Sequence, residues 1–277
     1  MSPEILGLVA LGSLFIFIFV GFPIAFTLLF LGLVVGYIGI GQVVFHLMTL
    51  QVYAIMNEQV LSAVPFFLFM GYILESSGLM ERLFKAFQML MARLSGSLYI
   101  AVTATATIFA AATGIVGSSV TLLGVMAGPT MKQGGYDVRL SAGCITAGGT
   151  LGILIPPSIM LVVMGPVVGV PVTDLFAAAI LPGIILACLY IGYCLIRCWI
   201  NPKLGPALTL DLRAPSAAWL VKELVLGVAP VTMVIIATLG TIMFGLATPT
   251  EGAACGAVGS LLLSMAYRRM TWNHLLN

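Results

Sequence analysis

Two short stretches of this sequence gather hydroxyls, glycines and prolines far from any charged side chain. One is Thr113-Gly114-Ile115-Val116-Gly117-Ser118-Ser119, and the other is Gly148-Gly149-Thr150-Leu151-Gly152-Ile153-Leu154-Ile155-Pro156-Pro157-Ser158. An interrupted helix frees backbone carbonyls, and hard cations want oxygen ligands. Ser118, Ser119, Thr150 and the carbonyls near Gly117 and from Gly152 to Pro156 are therefore candidate Na⁺ ligands. The N-terminus of a half-helix favours an anionic substrate group. Pro157 has no N–H, and its ring pushes Pro156 out of the α region, so the second stretch must interrupt its helix. The glycines and serines of the first weaken it in the same way. A second reading stays open, because glycine and proline are common in membrane helices and neighbours can repair their kinks.

Other reactive groups offer less. Glu251 is a lone carboxylate between apolar runs, which makes it a functional candidate. Thr248-Pro249-Thr250-Glu251 also reads as a capping box with proline at the first helical position. Glu58 and Glu75 flank a short apolar stretch and are expected at the membrane interface. Five cysteines lie in apolar segments. Cys194 and Cys198 share a helix face, so a metal or redox pair competes with the reading of free thiols packed as small apolar groups. His46 and His274 are isolated, and neither a Walker A pattern nor a nucleophile–His–acid set can be assembled, so no enzyme activity is expected. Gly32/Gly36, Gly124/Gly128 and Gly252/Gly256 are packing signals of low specificity.

The elements that must position these residues are membrane helices. Of 277 residues, 61% are hydrophobic and 7% charged, against roughly 25% charged in soluble domains. No Asp, Glu, Lys or Arg occurs from Ile5 to Asn57, Leu94 to Met131, Leu140 to Thr173, Leu175 to Ile196, Leu224 to Thr250, or Gly252 to Tyr267. At about 20 residues per span, these runs hold roughly six to nine segments. They lack the alternation of barrel strands, and the N-terminus lacks the basic region of a cleavable signal. The net charge of +2 comes from basic residues between helices (Arg82, Lys85 and Arg93; Lys132 and Arg139; Arg197, Lys203, Arg213 and Lys222; Arg268 and Arg269). Placed there, the charge says little about nucleic acid, which is not expected as a partner, and the apolar composition makes the lipid bilayer one. By the positive-inside rule the 197–222 connection is the best cytoplasmic candidate.

Along the chain, helices are expected over 5–22 and 24–40, joined at Pro23, with 43–57 oblique or near the interface. Leu61–Leu74 is short for a span and opens with Pro65, which suggests a re-entrant segment. Residues 79–93 read as an amphipathic helix lying in the interface, with Leu79, Leu83, Phe87 and Leu90 on one side. Broken helices follow around 113–119 and 148–158, then a clean span over Leu175–Trp199, a polar loop over 200–223 and a helical pair from Leu224.

At Ile115–Ser119, Gly149–Ser158 and Gly245–Ala253, and broadly from Ser2 to Asn277, the sequence resembles the large membrane (permease) subunit of tripartite ATP-independent periplasmic (TRAP) transporters. The Gly-Thr-Leu-Gly-Ile-Leu-Ile-Pro-Pro-Ser stretch is the most specific part of the likeness. The resemblance implies an all-α polytopic membrane protein with an elevator-type inverted-repeat fold, re-entrant hairpin and broken helices. It implies Na⁺-coupled import of a small organic acid, such as a C4-dicarboxylate or a sugar acid, across the bacterial inner membrane. A small four-helix membrane subunit and a periplasmic substrate-binding protein would be its partners, and Na⁺ as coupling ion its only cofactor.

On this pattern the ion would be held by Gly117, Ser118, Ser119, Thr150, Gly152 and Pro156, and the organic acid would lie against Ser119, Pro157 and Ser158. Residues 1–57 would be scaffold helices and 58–199 a transport-type region, with 61–78 as the first re-entrant hairpin. Residues 200–223 would be a cytoplasmic loop and 224–277 the start of a second inverted repeat. Members of the family carry that second half in full, so the resemblance implies a C-terminally truncated chain, either a fragment or a shortened gene product. A stand-alone ion-coupled anion carrier and a non-transporting scaffold subunit remain the alternatives.

Overall fold

Helices form along the uncharged runs and pass through several internal prolines (Pro129, Pro166, Pro182 and Pro230), so only some of the glycine and proline positions end a helix. The computed structural model describes residues 3–92, 94–207 and 217–267; Arg93, Arg213, Arg268, Arg269 and His274 lie outside them. All regular structure among the described residues is helical. The chain divides after Glu58 into two compact units.

The first unit holds α1 (Pro3–Val20), α2 (Ile24–Ile40) and α3 (Val43–Met56). Pro23 ends the turn after α1, and its carbonyl accepts the Thr27 hydroxyl at 3.1 Å. Phe17 packs edge-on to Phe22 and Phe30, with centroids 5.5 and 5.9 Å apart. Little else is buried: Thr27, Leu31 and Val44 are, whereas Phe19 and Phe26 stay exposed. Helices apolar on every side belong in lipid.

The second unit begins with a 3₁₀ turn, Gln59–Ser62, that runs into α4 (Ala63–Ser76). After the left-handed Gly78 come α5 (Leu79–Leu90), α6 (Ser97–Thr113), α7 (Val116–Gln133), α8 (Val138–Leu154), α9 (Ile159–Val168) and α10 (Val172–Ile200). Next is α11 (Ala217–Ile235), which continues through a π-helical turn, Ile236–Gly240, into α12 (Thr241–Met243); α13 (Pro249–Ala266) closes the described chain. The core is α6, whose alanines and threonines admit neighbours closely. Leu98, Tyr99, Val102, Thr105 and Phe109 are all buried, with α4, α5, α7, α8, α10 and α11 packed around them.

Four expectations change. The 61–78 segment is not a hairpin but one helical run, because Pro65 falls in the first turn of α4, where its missing N–H breaks no hydrogen bond. With the preceding 3₁₀ turn, Gln59–Ser76 is long enough to cross a membrane. The amphipathic helix α5 covers much of its apolar side with protein: Leu79, Met80, Leu83 and Phe84 are buried while Leu90 stays exposed, with α6 and α11 packed against the helix. The 200–223 connection is partly helical, since α11 already runs from Ala217 and Glu223 pairs with Arg82 at 3.0 Å. Finally, the interruptions cut the apolar runs short. Among the described residues three helices (Gln59–Ser76, Val172–Ile200, Val221–Met243) are long and apolar enough to cross a membrane, or four spans if α8 and α9, bent by 45°, count as one.

The capping box at α13 is present in full. The Glu251 carboxylate accepts the Thr248 N–H at 2.8 Å, and the Glu251 N–H donates to the Thr248 hydroxyl at 3.3 Å. Where α13 crosses α4 and the π turn, a Cβ on Gly256 would stand 2.0 Å from Thr238 Cγ2 and 2.6 Å from Met70 Sδ. Gly256→Ala is therefore expected to lower stability by about 1–3 kcal/mol through overpacking, read as a lower melting temperature in detergent.

Candidate functional site

The two interruptions expected from sequence are both present, and the fold brings them against each other. The first lies between α6 and α7 at Gly114 and Ile115, the second between α8 and α9 at Ile155–Ser158. Gly114 adopts φ +63, and a Cβ there would lie 2.6 Å from the Pro157 carbonyl oxygen and 3.2 Å from Ser158 Cα. A Cβ on Gly152 would meet the Ile115 backbone at 3.4 Å, and one on Gly149 would stand 3.0 Å from Val120 Cα. From the far side α4 closes in, since a Cβ on Gly71 would be 3.1 Å from the Thr113 carbonyl oxygen. Only residues without side chains allow backbones this near.

Four helix ends converge at this crossing. The N-termini of α7 and α9 carry partial positive charge, and the C-termini of α6 and α8 carry partial negative charge. Some terminal groups are satisfied locally. The Gly114 N–H donates to the Ala110 carbonyl at 3.0 Å and the Ile155 N–H to that of Leu151 at 2.9 Å. The Ser158 hydroxyl reaches back to the Ile153 carbonyl at 2.6 Å. The remaining carbonyls of the final turns of α6 and α8 have no intrahelical donor, and they are oxygens of the kind a cation would use.

The residues named from sequence fall into two groups. Gly117, Ser118 and Ser119 are not in a loop: the interruption is confined to Gly114 and Ile115, and these three form the first turn of α7. The Ser119 hydroxyl donates to the Ile115 carbonyl at 2.6 Å, and the Thr150 hydroxyl to the Ala147 carbonyl at 2.7 Å. Their protons are spent, while each oxygen keeps lone pairs for a cation. Gly152 ends against the first interruption, and Pro156, Pro157 and Ser158 are buried in the second.

One residue expected elsewhere joins the site. Glu75, placed by sequence at the interface, sits near the end of α4 with its carboxyl facing the Ser118 hydroxyl. Neither Glu75 Oε1 nor Ser118 Oγ, both shielded from solvent, completes a hydrogen bond of standard geometry among the described residues. The two side chains face each other, and oxygens of this kind are what a hard cation binds. The available signal was a carboxylate within a run long enough to span, hidden by reading that run as too short.

The sequence model described as "Tripartite ATP-independent periplasmic transporter, DctM component" matches residues 11–277. The chain is 28% identical to the C4-dicarboxylate TRAP transporter large permease protein DctM of Rhodobacter capsulatus, covering 95% of this chain and 62% of that protein. It is 33% identical to the protein of the same description from Pseudomonas aeruginosa, covering 80% and 51%. It is 30% identical to the 2,3-diketo-L-gulonate TRAP transporter large permease protein YiaN of Escherichia coli, covering 96% and 61%. These relatives are transport proteins rather than enzymes, and the chain spans about half to three fifths of their length.

The crossing makes a contrast that chemical denaturation can read. Gly114→Ala combines a left-handed backbone with a clash against the Pro157 carbonyl, so a loss of about 1–3 kcal/mol is expected. Gly152→Ala meets only ordinary van der Waals contact and is expected within about 1 kcal/mol of the parent.

Proposed function

The chain belongs to the DctM family of tripartite ATP-independent periplasmic transporters, and on that premise we propose that it forms part of a Na⁺-coupled importer of a small organic acid. The observation that carries this reading is the crossing of two helix interruptions, with carbonyl ends, amide ends and the Glu75–Ser118 oxygen pair in one place. Na⁺ is held by Ser118, Ser119, Thr150 and the carbonyls of the final turns of α6 and α8, with Glu75 supplying charge. The organic acid takes the N-terminal side of α7 and α9, near Ser119, Pro157 and Ser158. Carboxylate substrates are named for the relatives from Rhodobacter capsulatus, Pseudomonas aeruginosa and Escherichia coli alike, which favours a carboxylate here.

The wider architecture follows the family pattern: an elevator-type inverted repeat in the bacterial inner membrane, with residues 1–57 as scaffold and 58–199 as the moving region. The 200–223 connection is cytoplasmic, and 224–277 begins the second repeat. A small four-helix membrane subunit and a periplasmic substrate-binding protein complete the system.

Sodium binding is tested on the purified chain by thermal unfolding in NaCl against choline chloride at equal ionic strength. At about 100 times the dissociation constant, a ligand of the folded state adds ~2.7 kcal/mol. Stabilisation by Na⁺ alone, lost in Ser118→Ala and Glu75→Gln, is expected; equal melting in the two salts overturns the ion site. Transport is tested in cells that also carry the binding protein and the small subunit. Uptake that ignores the sodium gradient, or that needs no binding protein, overturns the tripartite reading in favour of a stand-alone carrier. Unaltered uptake in Ser118→Ala cells favours a scaffold role.

A further inference from the structure

Away from the crossing, two arginines share the mouth of an apolar groove. Arg139 lies in the first turn of α8 and Arg197 in the last turn of α10, and both line a cavity of about 660 Å³ between these helices. Each is exposed, and neither forms an ion pair or side-chain hydrogen bond with another described residue. Asp137 is the one carboxylate lining the cavity, and its Oδ1 accepts the Leu140 N–H at 2.8 Å as the cap of α8. Arg139 also stands at the positive end of the α8 dipole, where a cation is disfavoured. Among the described lining residues the mouth thus carries two arginines against one carboxylate, and that carboxylate is engaged by the helix end.

Beneath the mouth the lining turns apolar: Leu140, Gly143, Ala147 and Tyr190 run along it. Nothing lies within 4 Å of where a Gly143 Cβ would be, so the floor is open. From Arg139 to Ala147 the helix rises about 12 Å. The rim is held in place, because the Leu204 carbonyl accepts the Tyr99 hydroxyl at 2.8 Å and the Asp137 N–H at 3.0 Å. Helix α10 has 29 residues, about 43 Å of helix against a hydrocarbon core of about 30 Å. Its basic end can therefore stand at headgroup level, where exposed Tyr193 and Trp199 suit the aromatic belt.

We propose that this groove binds an anionic phospholipid, with the headgroup phosphate between Arg139 and Arg197 and an acyl chain laid along Leu140, Gly143, Ala147 and Tyr190. Paired cations over an apolar floor between membrane helices match the two halves of such a lipid. A soluble anion would use the arginines alone, and an apolar protein segment would leave both charges buried without a partner.

Native mass spectrometry of the delipidated protein in mild detergent tests the assignment, with phosphatidylglycerol, phosphatidylethanolamine and inorganic phosphate as probes. Phosphatidylglycerol is expected to be retained preferentially. The Arg139→Gln/Arg197→Gln double variant is expected to weaken that binding about thirty-fold, at about one headgroup interaction per arginine, while Arg139→Lys/Arg197→Lys keeps the preference. Gly143→Trp fills the floor, leaves the arginines in place and is expected to expel the lipid. Melting temperatures equal to the parent show that the exposed substitutions leave the fold intact. Equal retention of the two lipids, or full phosphatidylglycerol binding by the double glutamine variant, overturns the proposal. If inorganic phosphate displaces the lipid and Gly143→Trp retains it, the site is one for a free anion and the lipid assignment fails. If adding the small membrane subunit strips the lipid from the parent protein, the groove is a protein interface and the assignment fails likewise.

Discussion

Within a bilayer every backbone N–H and C=O must find a partner, and each one left bare in hydrocarbon costs several kcal/mol. Two of the helix breaks among the described residues, at Gly114–Ile115 and at Ile155–Ser158, lie against each other, and breaks within hydrocarbon are tolerable only where protein surrounds them. The arrangement of the second unit answers that need. Each interruption is placed against the other, α4 covers the first, and α6, from which one interrupted pair departs, is the most enclosed helix of the unit. The Ser158 hydroxyl on the Ile153 carbonyl shows how local side chains absorb part of the demand.

Close approach is what makes the mutual cover possible, and it rests on particular glycines. At Gly71, Gly114 and Gly149 a single methyl group would come within about 3 Å of neighbouring backbone or side-chain atoms, nearer than van der Waals contact allows. Gly256 plays the same part where α13 meets α4 and the π turn. That turn leaves Thr238 fully buried, its hydroxyl donating to the Val234 carbonyl at 2.8 Å and lying 3.1 Å from that of Ile235. A helix widened by one residue per turn otherwise leaves carbonyls unserved, so a threonine at this position is a local repair.

Much of this was legible in the sequence, and what was not has identifiable causes. Proline pairs and glycine clusters locate the interruptions because their effect on φ, ψ and hydrogen bonding is local, and the Thr248–Glu251 box is local for the same reason. The helical state of Gly117, Ser118 and Ser119 was not legible. A left-handed Gly114 and an extended Ile115 absorb the change of direction between them, and the helix resumes at Val116. Pro65 misled because a proline in a first turn and a proline in a break look alike without knowing where the helix starts. The placement of Glu75 beside Ser118 is a tertiary fact, set by how α4 packs on α6 and α9, and no periodicity in α4 points to it. The stripe on α5 was correctly read as apolar, but sequence does not say whether lipid or protein covers it.

The meeting of unlike helix ends bears on how an ion and an anion could depend on one another. Amide ends and carbonyl ends held in one enclosed place create a strong local dipole, in surroundings where charges interact far more strongly than in water. An isolated cation drawn to the carbonyl ends would be costly to bury, and so would an isolated anion at the amide ends. Together each offsets the cost of the other, and by linkage the affinity gained by one is the affinity gained by the other. Coupling of this kind needs no dedicated wire between two sites. It needs only that α6, α7, α8 and α9 begin or end at the same crossing, which is the arrangement that the two interruptions produce.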